Sequence, residues 1–301
     1  LTYFTVLSVF PGLLAVVSLL GVFGHGAQTT ETILDLIQPY APSQLMDLIE
    51  QPIRQLTEGN GAGLALITGI VGALWTASGY TGAFGRALNR IYGVVEGRPI
   101  WKLRPWNLLV TFTMVILVVL TMLTVLLSGG VIEFFSDHLG IGDQITQIWN
   151  WVRWLIALVL VVALIALLYY ATPNIKQPKL RWISPGAAIA LVMMGVAGAA
   201  FGFYVSNFSN YNATYGTLGG VIVMLLLIWI MNNVLLLGAV LDSELERARQ
   251  LESGIRAEED IQLPPRGIRQ AEKMRDAHAD LVKQGRQLRL HNDHLDYSEQ
   301  D

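Results

Sequence analysis

Cysteine is absent from the 301 residues, which excludes disulfides, thiolate nucleophiles and Cys-ligated metals. Charge is scarce as well: Asp, Glu, Lys and Arg make up 14% of the chain, against about 25% in a soluble globular protein. The scarcity is local, with few charges from Leu1 to Leu241 and many from Asp242 onward. A water-soluble fold of this length would spread charge over its whole surface, so lipid is the expected solvent for most of the chain. The formal net charge of −3 carries no basic signature for nucleic acid. The chain opens inside an apolar run, "LTYFTVLSVFPGLLAVVSLLGVF". That run has no positive n-region and no A-x-A site, and natural residues are expected to precede it.

What is present is a set of long apolar runs. A bilayer core takes about 20 apolar residues in a helix. Six runs qualify: about 1–23, 61–81, 106–128, 151–171, 185–205 and 217–241. Trp106, Trp149, Trp151, Trp154, Tyr169 and Tyr170 stand at run ends, where aromatic belts form. Lys and Arg sort the loops by side. The 24–60 loop has only Arg54, against five acids, and the 129–150 and 206–216 loops have none. The 82–105 segment has five, the 172–184 loop three and the tail after 241 ten. By the positive-inside rule both termini are expected in the cytoplasm. The expected fold is all-α: a six-helix transmembrane domain over 1–246 and a charged cytoplasmic tail over 247–301, partly disordered or helical. "TTETILDLIQPY", "SQLMDLIEQPIRQL" and "VIEFFSDHLGIGDQITQIW" have helical apolar spacing and read as amphipathic periplasmic helices.

Small residues recur every fourth position in the second run, at Gly61, Ala65, Gly69, Ala73 and Ala77. In lipid, close backbone approach must supply helix association, so this helix is expected to be central. The fifth run is rich in small residues too, including Gly195, Gly198 and Gly202. The Leu- and Val-rich third and fourth runs are expected to face lipid. Pro11 kinks the first run, as a hinge or as a tolerated structural kink.

Ionisable residues inside spans are costly and usually functional. The run interiors contain essentially none, and Arg153 lies at one end of its run among tryptophans. That argues against a proton-coupled pump. Asn232 and Asn233 are the strongest polar feature within a run. At least one should face the bundle, as an interhelical hydrogen bond or a substrate contact. Trp75, Ser78, Arg86, Asn89, Arg90 and Arg98 lead from the second run into the basic segment, which also holds Lys102 and Arg104. This cluster satisfies the topology signal and also suits anionic lipid headgroups, at about 1 kcal/mol per cation. On the outer side, "SNFSNYNATYGTLGG" is polar and uncharged. Tyr211, Tyr215, Gly216 and Gly220 there suit a tight hairpin or an outer gate.

A metal-dependent nuclease needs clustered carboxylates or histidines. Asp242, Glu244 and Glu246 at the last run's edge, with His291 and His294 in the tail, are the only candidates. They make no nuclease or hydrolase motif, and no metal, cofactor or catalytic residue is expected. The tail reads as a solvated segment or as the docking site of a protein partner.

Five blocks carry a family resemblance: "LTYFTVLSVFP" at the start, "LWTASGYTGAFGRALNRIYGVVEGR" at 74–98, "LLYYATPN" at 167–174, "SPGA" at 184–187 and "YNATYGTLGGVIVMLLLIWIMNNVLLLGAVLDSE" at 211–244. The chain resembles the YihY/BrkB family of bacterial inner-membrane proteins over nearly all of 1–246. The resemblance implies six transmembrane helices. It also brings two labels, virulence factor and an older transfer-RNA-processing ribonuclease (ribonuclease BN), and an association with envelope or lipid export. Val240 stands where the family pattern has Glu, in "GAVL", so no mechanism resting on that carboxylate transfers to this chain. The expected function is translocation of a lipid-like or amphipathic envelope molecule. The alternatives are a membrane scaffold docking a cytoplasmic partner and, disfavoured, a ribonuclease.

Overall fold

The computed structural model describes residues 1–7, 62–126, 143–177, 184–207 and 217–296. After a short helical segment at 2–7 come α1 (Ala62–Ile91), α2 (Ile100–Leu126), α3 (Asp143–Ala171), α4 (Pro185–Asn207), α5 (Thr217–Glu252) and α6 (Arg269–Asp296). Among the described residues the one β-type contact is an isolated bridge between Ile175 and Pro265. Four helices hold stretches long and apolar enough to cross a membrane: Ile100–Val125, Trp151–Ala171, Pro185–Tyr204 and Ile222–Glu252. These overlap the last four runs of the sequence. The second run lies in α1, which continues past it to Ile91. The boundary drawn at 246 falls inside α5, which runs on to Glu252. Pro11, the amphipathic segments before residue 62, Tyr211, Tyr215 and Gly216 lie outside the described residues. Gly220 lies in α5, with its surroundings outside them.

α2 lies along α3 and α4 along α5, and α1 touches α2, α3 and α5 and so joins the two pairs. The tightest crossing is between α4 and α5. A Cβ on Gly186 would overlap the Gly238 carbonyl, and one on Gly238 would lie 2.6 Å from both the Gly186 carbonyl and the Tyr169 hydroxyl. Here the small-residue principle operates, at a place other than the α1 stripe. Of that stripe, only Ala77 has a described side chain, and it is buried. Gly195 and Gly202 meet nothing within 4 Å among the described residues.

The core sits at one end of the bundle, where the tail returns. Phe84 and Leu88 of α1, Tyr92 just past its end, Ile165, Leu168 and Tyr169 of α3, Ala187 of α4 and Leu235 and Ala239 of α5 pack with Ile175 and Ile261. Burying each large side chain contributes about 1.5–3 kcal/mol. Tyr169 therefore belongs to the core and not to an interfacial belt: its ring stacks on Phe84 and its hydroxyl donates to the Leu235 carbonyl. Further along the same helices, Phe112, Ile116, Leu155, Val159, Val192, Val196, Phe203 and Trp229 stand exposed, as side chains solvated by acyl chains do.

Candidate functional site at the tail end of the bundle

Two glycine C-caps turn the chain back over the core. α1 ends at Gly93 (φ 65°), where the Val94 N–H donates to the Asn89 carbonyl at 2.8 Å and the Gly93 N–H to the Arg90 carbonyl at 3.3 Å. α5 ends the same way at Gly254 (φ 75°), through Ile255 to Gln250 at 2.9 Å and Gly254 to Leu251 at 3.0 Å. Both are Schellman caps, and the left-handed backbone calls for glycine. The segments they release, 94–99 and 255–268, converge on the C-terminus of α3.

A helix C-terminus leaves carbonyls without intrahelical donors and carries partial negative charge. At α3 a different side chain answers each one. Gln177 donates to Tyr169 at 3.2 Å, Arg266 to Tyr170 at 2.7 Å, the Trp106 indole to Ala171 at 2.7 Å and Arg98 to Thr172 at 2.8 Å. Two of the four donors are guanidiniums, which also suit the dipole. Arg266 stacks over Tyr170 at 4.9 Å as well. Burial lowers the Arg266 pKa, with the nearby Arg98 charge adding to the shift and Tyr170 opposing it.

Asn174 is the node of this region and is fully buried. Its amide donates to the Val95 carbonyl at 3.0 Å and the Gly267 carbonyl at 2.9 Å. Its side-chain oxygen accepts from the Gly267 N–H at 3.0 Å, and its own N–H donates to the Asn89 side chain at 2.7 Å. The tail is thereby stitched to the membrane helices. Lys176 donates to the Pro264 carbonyl at 2.8 Å, Arg266 to the Asn174 carbonyl at 3.1 Å and Gln270 to the Gly97 carbonyl at 3.0 Å. A Cβ at Gly97 would collide with the Gly267 backbone. Residues 261–267 are a docked strap, and solvated tail begins only with α6.

The structure divides the predicted basic cluster. Ser78 and Asn89 turn inward with Thr81, Phe84 and Leu88, whereas Trp75, Arg86 and Arg90 are exposed. Arg86 lies over Phe4 at 5.9 Å and Arg104 over Trp75 at 5.6 Å. Arg98 is not a free cation: it forks onto Glu96 at 2.8 and 2.7 Å, and Asn89 donates to the same carboxylate at 2.9 Å. Burial alone would raise the Glu96 pKa, but the hydrogen bonds and charge of Arg98, with the Asn89 amide, outweigh it and hold the pKa below the usual carboxylate range. Asn232 faces the bundle, accepting from Tyr80 at 3.0 Å and donating to Thr5 at 3.2 Å. Asn233 is exposed and bonds its own helix at Trp229.

Next to the node, a cavity of about 290 Å³ opens between α1, α3, α4 and α5. Tyr92, Ala166 and Tyr169 form its apolar wall, and Ser184, Asp242, Glu246 and Arg249 its polar rim. Asp242 has a structural task. It accepts from the Gly186 N–H at 2.8 Å and from the Ser184 hydroxyl, while the Ala187 N–H donates to Ser184 at 3.1 Å. Ser184 and Asp242 together cap the N-terminus of α4, where negative charge is favoured. Glu246 and Arg249 pair across the rim at 3.5 Å. Among the described residues no group of three His, Asp or Glu is placed to hold a metal. Sequence reasoning passed over Glu96, Thr172, Asn174 and Arg266. The one available signal was the "ATPN" block, because single polar residues in loops carry no periodicity.

The family model described as "Virulence factor BrkB" matches residues 1–262. A ribonuclease-like protein of Bacillus subtilis named YfkH is 32% identical over 251 residues, which cover 83% of this chain and 90% of that protein. A membrane protein of Aromatoleum aromaticum, from the group UPF0761, is 27% identical over 83% of this chain and 61% of its own length. One from Xanthomonas euvesicatoria is 34% identical over 44% of this chain and 28% of its own length. No solved structure matches the chain. The described helices, four of them long and apolar enough to span, accord with a membrane protein, and the chain belongs to the BrkB family.

Proposed function

We propose that this protein is a non-catalytic component of the bacterial inner membrane that moves a lipid-like or amphipathic envelope molecule. The observation that carries this is the cavity at the tail end of the bundle. There an aromatic wall meets Ser184, Asp242, Glu246 and Arg249 at the end of the spans, a layout that suits a molecule with an apolar body and a polar head. The positive-inside rule puts that end in the cytoplasm, so the cavity is the loading side. No carboxylate or histidine lies within the apolar stretches of α2 to α5 ahead of Asp242 among the described residues, which favours an uncoupled or partner-driven path over a proton relay. The test is reconstitution in liposomes with labelled lipids of several headgroups. Transfer faster than in protein-free vesicles, slowed by Glu246→Gln with Arg249→Ala, supports the reading. Transfer no faster than in protein-free vesicles for every headgroup sinks it.

A second reading has its own observation. Met274, Leu281 and Leu288 recur every seventh residue on α6 and are exposed, as are Val282 and Leu290, on a helix rich in charge. Such a seam suits a helical protein partner. Truncation after Ile268 spares the strap and removes the seam. A cellular phenotype lost with that truncation, in protein that still moves lipid in vesicles, favours a docking role.

A further inference from the structure

On the other side of the strap a second cavity, of about 340 Å³, opens between the start of α2, the 172–177 loop and the start of α6. Among the described residues five cations line it (Arg98, Lys102, Lys176, Arg266 and Arg269) and no carboxylate does. Glu96 answers Arg98. The other four form no ion pair among the described residues. Arg266 is held in place by the Ile175 and Tyr170 carbonyls at 2.7 Å each. Like charges gathered in one concavity raise one another's free energy, and an anion seated among them relieves that repulsion.

The surroundings say which kind of anion. The apolar stretch of α2 begins at Ile100, one residue past the cavity lining at Pro99. Ile100, Trp101, Val95 and Ile268 around it are 65%, 64%, 60% and 53% exposed. Exposed large apolar groups beside a cationic cavity at the end of a membrane stretch place it at the boundary between acyl chains and headgroups. The first turns of α2 and α6 also open here, and their dipoles add to a field that the side chains already set.

We infer that this cavity binds the phosphate headgroup of an anionic lipid, with Lys102, Lys176, Arg266 and Arg269 as its cations. The inference does not rest on transport: the site can hold a resident lipid that anchors the strap, or receive a passing one. Neither Arg86 nor Arg90 lines the cavity.

The experiment uses the purified full chain in neutral detergent, titrated with short-chain phosphatidate, short-chain phosphatidylcholine and inorganic phosphate, with bound ligand counted by native mass spectrometry. Phosphatidate is expected to bind with clear preference over both others. Lys102→Ala with Arg269→Ala is expected to weaken it about thirtyfold, two cations being removed. Arg86→Ala with Arg90→Ala, outside the cavity, is expected to leave it unchanged. Both pairs are at exposed positions, and a second variant, Lys176→Ala, repeats the test at one position. Phosphatidate affinity unchanged in the cavity variants overturns the site. Inorganic phosphate binding as tightly as phosphatidate overturns the lipid and leaves a soluble anion as its ligand. Loss of binding in the Arg86 and Arg90 variant alone moves the headgroup to the outer face of α1.

Discussion

The two ends of the helix bundle are built on different physics. At the tail end, side chains from α1, α3, α4, α5 and the strap share one core, and the exposed carbonyls of α3 are bonded to four different segments. Toward the other end the helices expose Leu, Val and Phe and meet few described neighbours. Water is excluded from the first region by protein and from the second by lipid. In the first, a polar group must find its partner within the chain, so asparagines and arginines become specific. In the second, an apolar side chain needs no particular partner, and many sequences serve equally well.

Substitutions can break that contrast, and the largest effect is expected at the α4–α5 crossing. Gly238→Leu would push a side chain into the Gly186 carbonyl and Tyr169, costing about 3 kcal/mol or more. Thermal unfolding in detergent should show a large drop in midpoint or no recoverable protein. Gly195→Ala, in open space on the same pair of helices, should leave the midpoint level or raise it, by up to about 1 kcal/mol. Equal effects at the two glycines would erase the distinction between the ends.

Next comes Asn174→Ala. It removes three side-chain hydrogen bonds at a fully buried position, at about 1 kcal/mol each. Residues 261–267 should then exchange amide hydrogens faster and be cut sooner by protease, while α4 and α5 hold their protection. A strap that stays protected would show that the remaining Lys176 and Arg266 hydrogen bonds and the apolar contact of Ile261 suffice to hold it.

A smaller effect is expected from pH at Glu96. Its pKa in the folded protein lies below the ordinary carboxylate value. Its contribution is therefore complete above that ordinary value and is lost as pH falls through the folded one. Glu96→Gln should lower the unfolding midpoint at neutral pH and bring the two proteins together in acid. A difference independent of pH would mean that the loop shape, and not the charge, is what Glu96 supplies. The smallest effect belongs to Trp151→Phe. Trp151 is 82% exposed at the membrane stretch's end, so stability in detergent should change by no more than about 0.5 kcal/mol.

Legibility followed the same division. The last four apolar stretches could be located along the chain, though not their ends, because hydropathy over about 20 positions is a local property of the chain. An amide in an apolar run demands a partner, so one of Asn232 and Asn233 was expected to face the bundle, but nothing local chose Asn232 or named Tyr80 or Thr5. Arg98 read as a surface cation because a charge count does not register that Glu96, two residues away, is folded back onto it. Asn174 stood out only within the "ATPN" block, and nothing local named its partners: Asn89, Val95 and Gly267 lie far along the chain. Tyr169 read as an interfacial aromatic by position, and the α5 backbone it meets made it a core residue.

By itself the sequence determined that this chain carries four stretches apolar enough to dissolve in lipid and roughly where they lie, because the cost of placing a polar backbone or charge in hydrocarbon is incurred residue by residue. Only the tertiary structure decided which glycines touch, which arginine pairs with a carboxylate and which cations gather around a cavity, and that residues 261–267 close over the end of α3. Those outcomes depend on distances between groups remote in the chain, and such distances exist only once the helices have met.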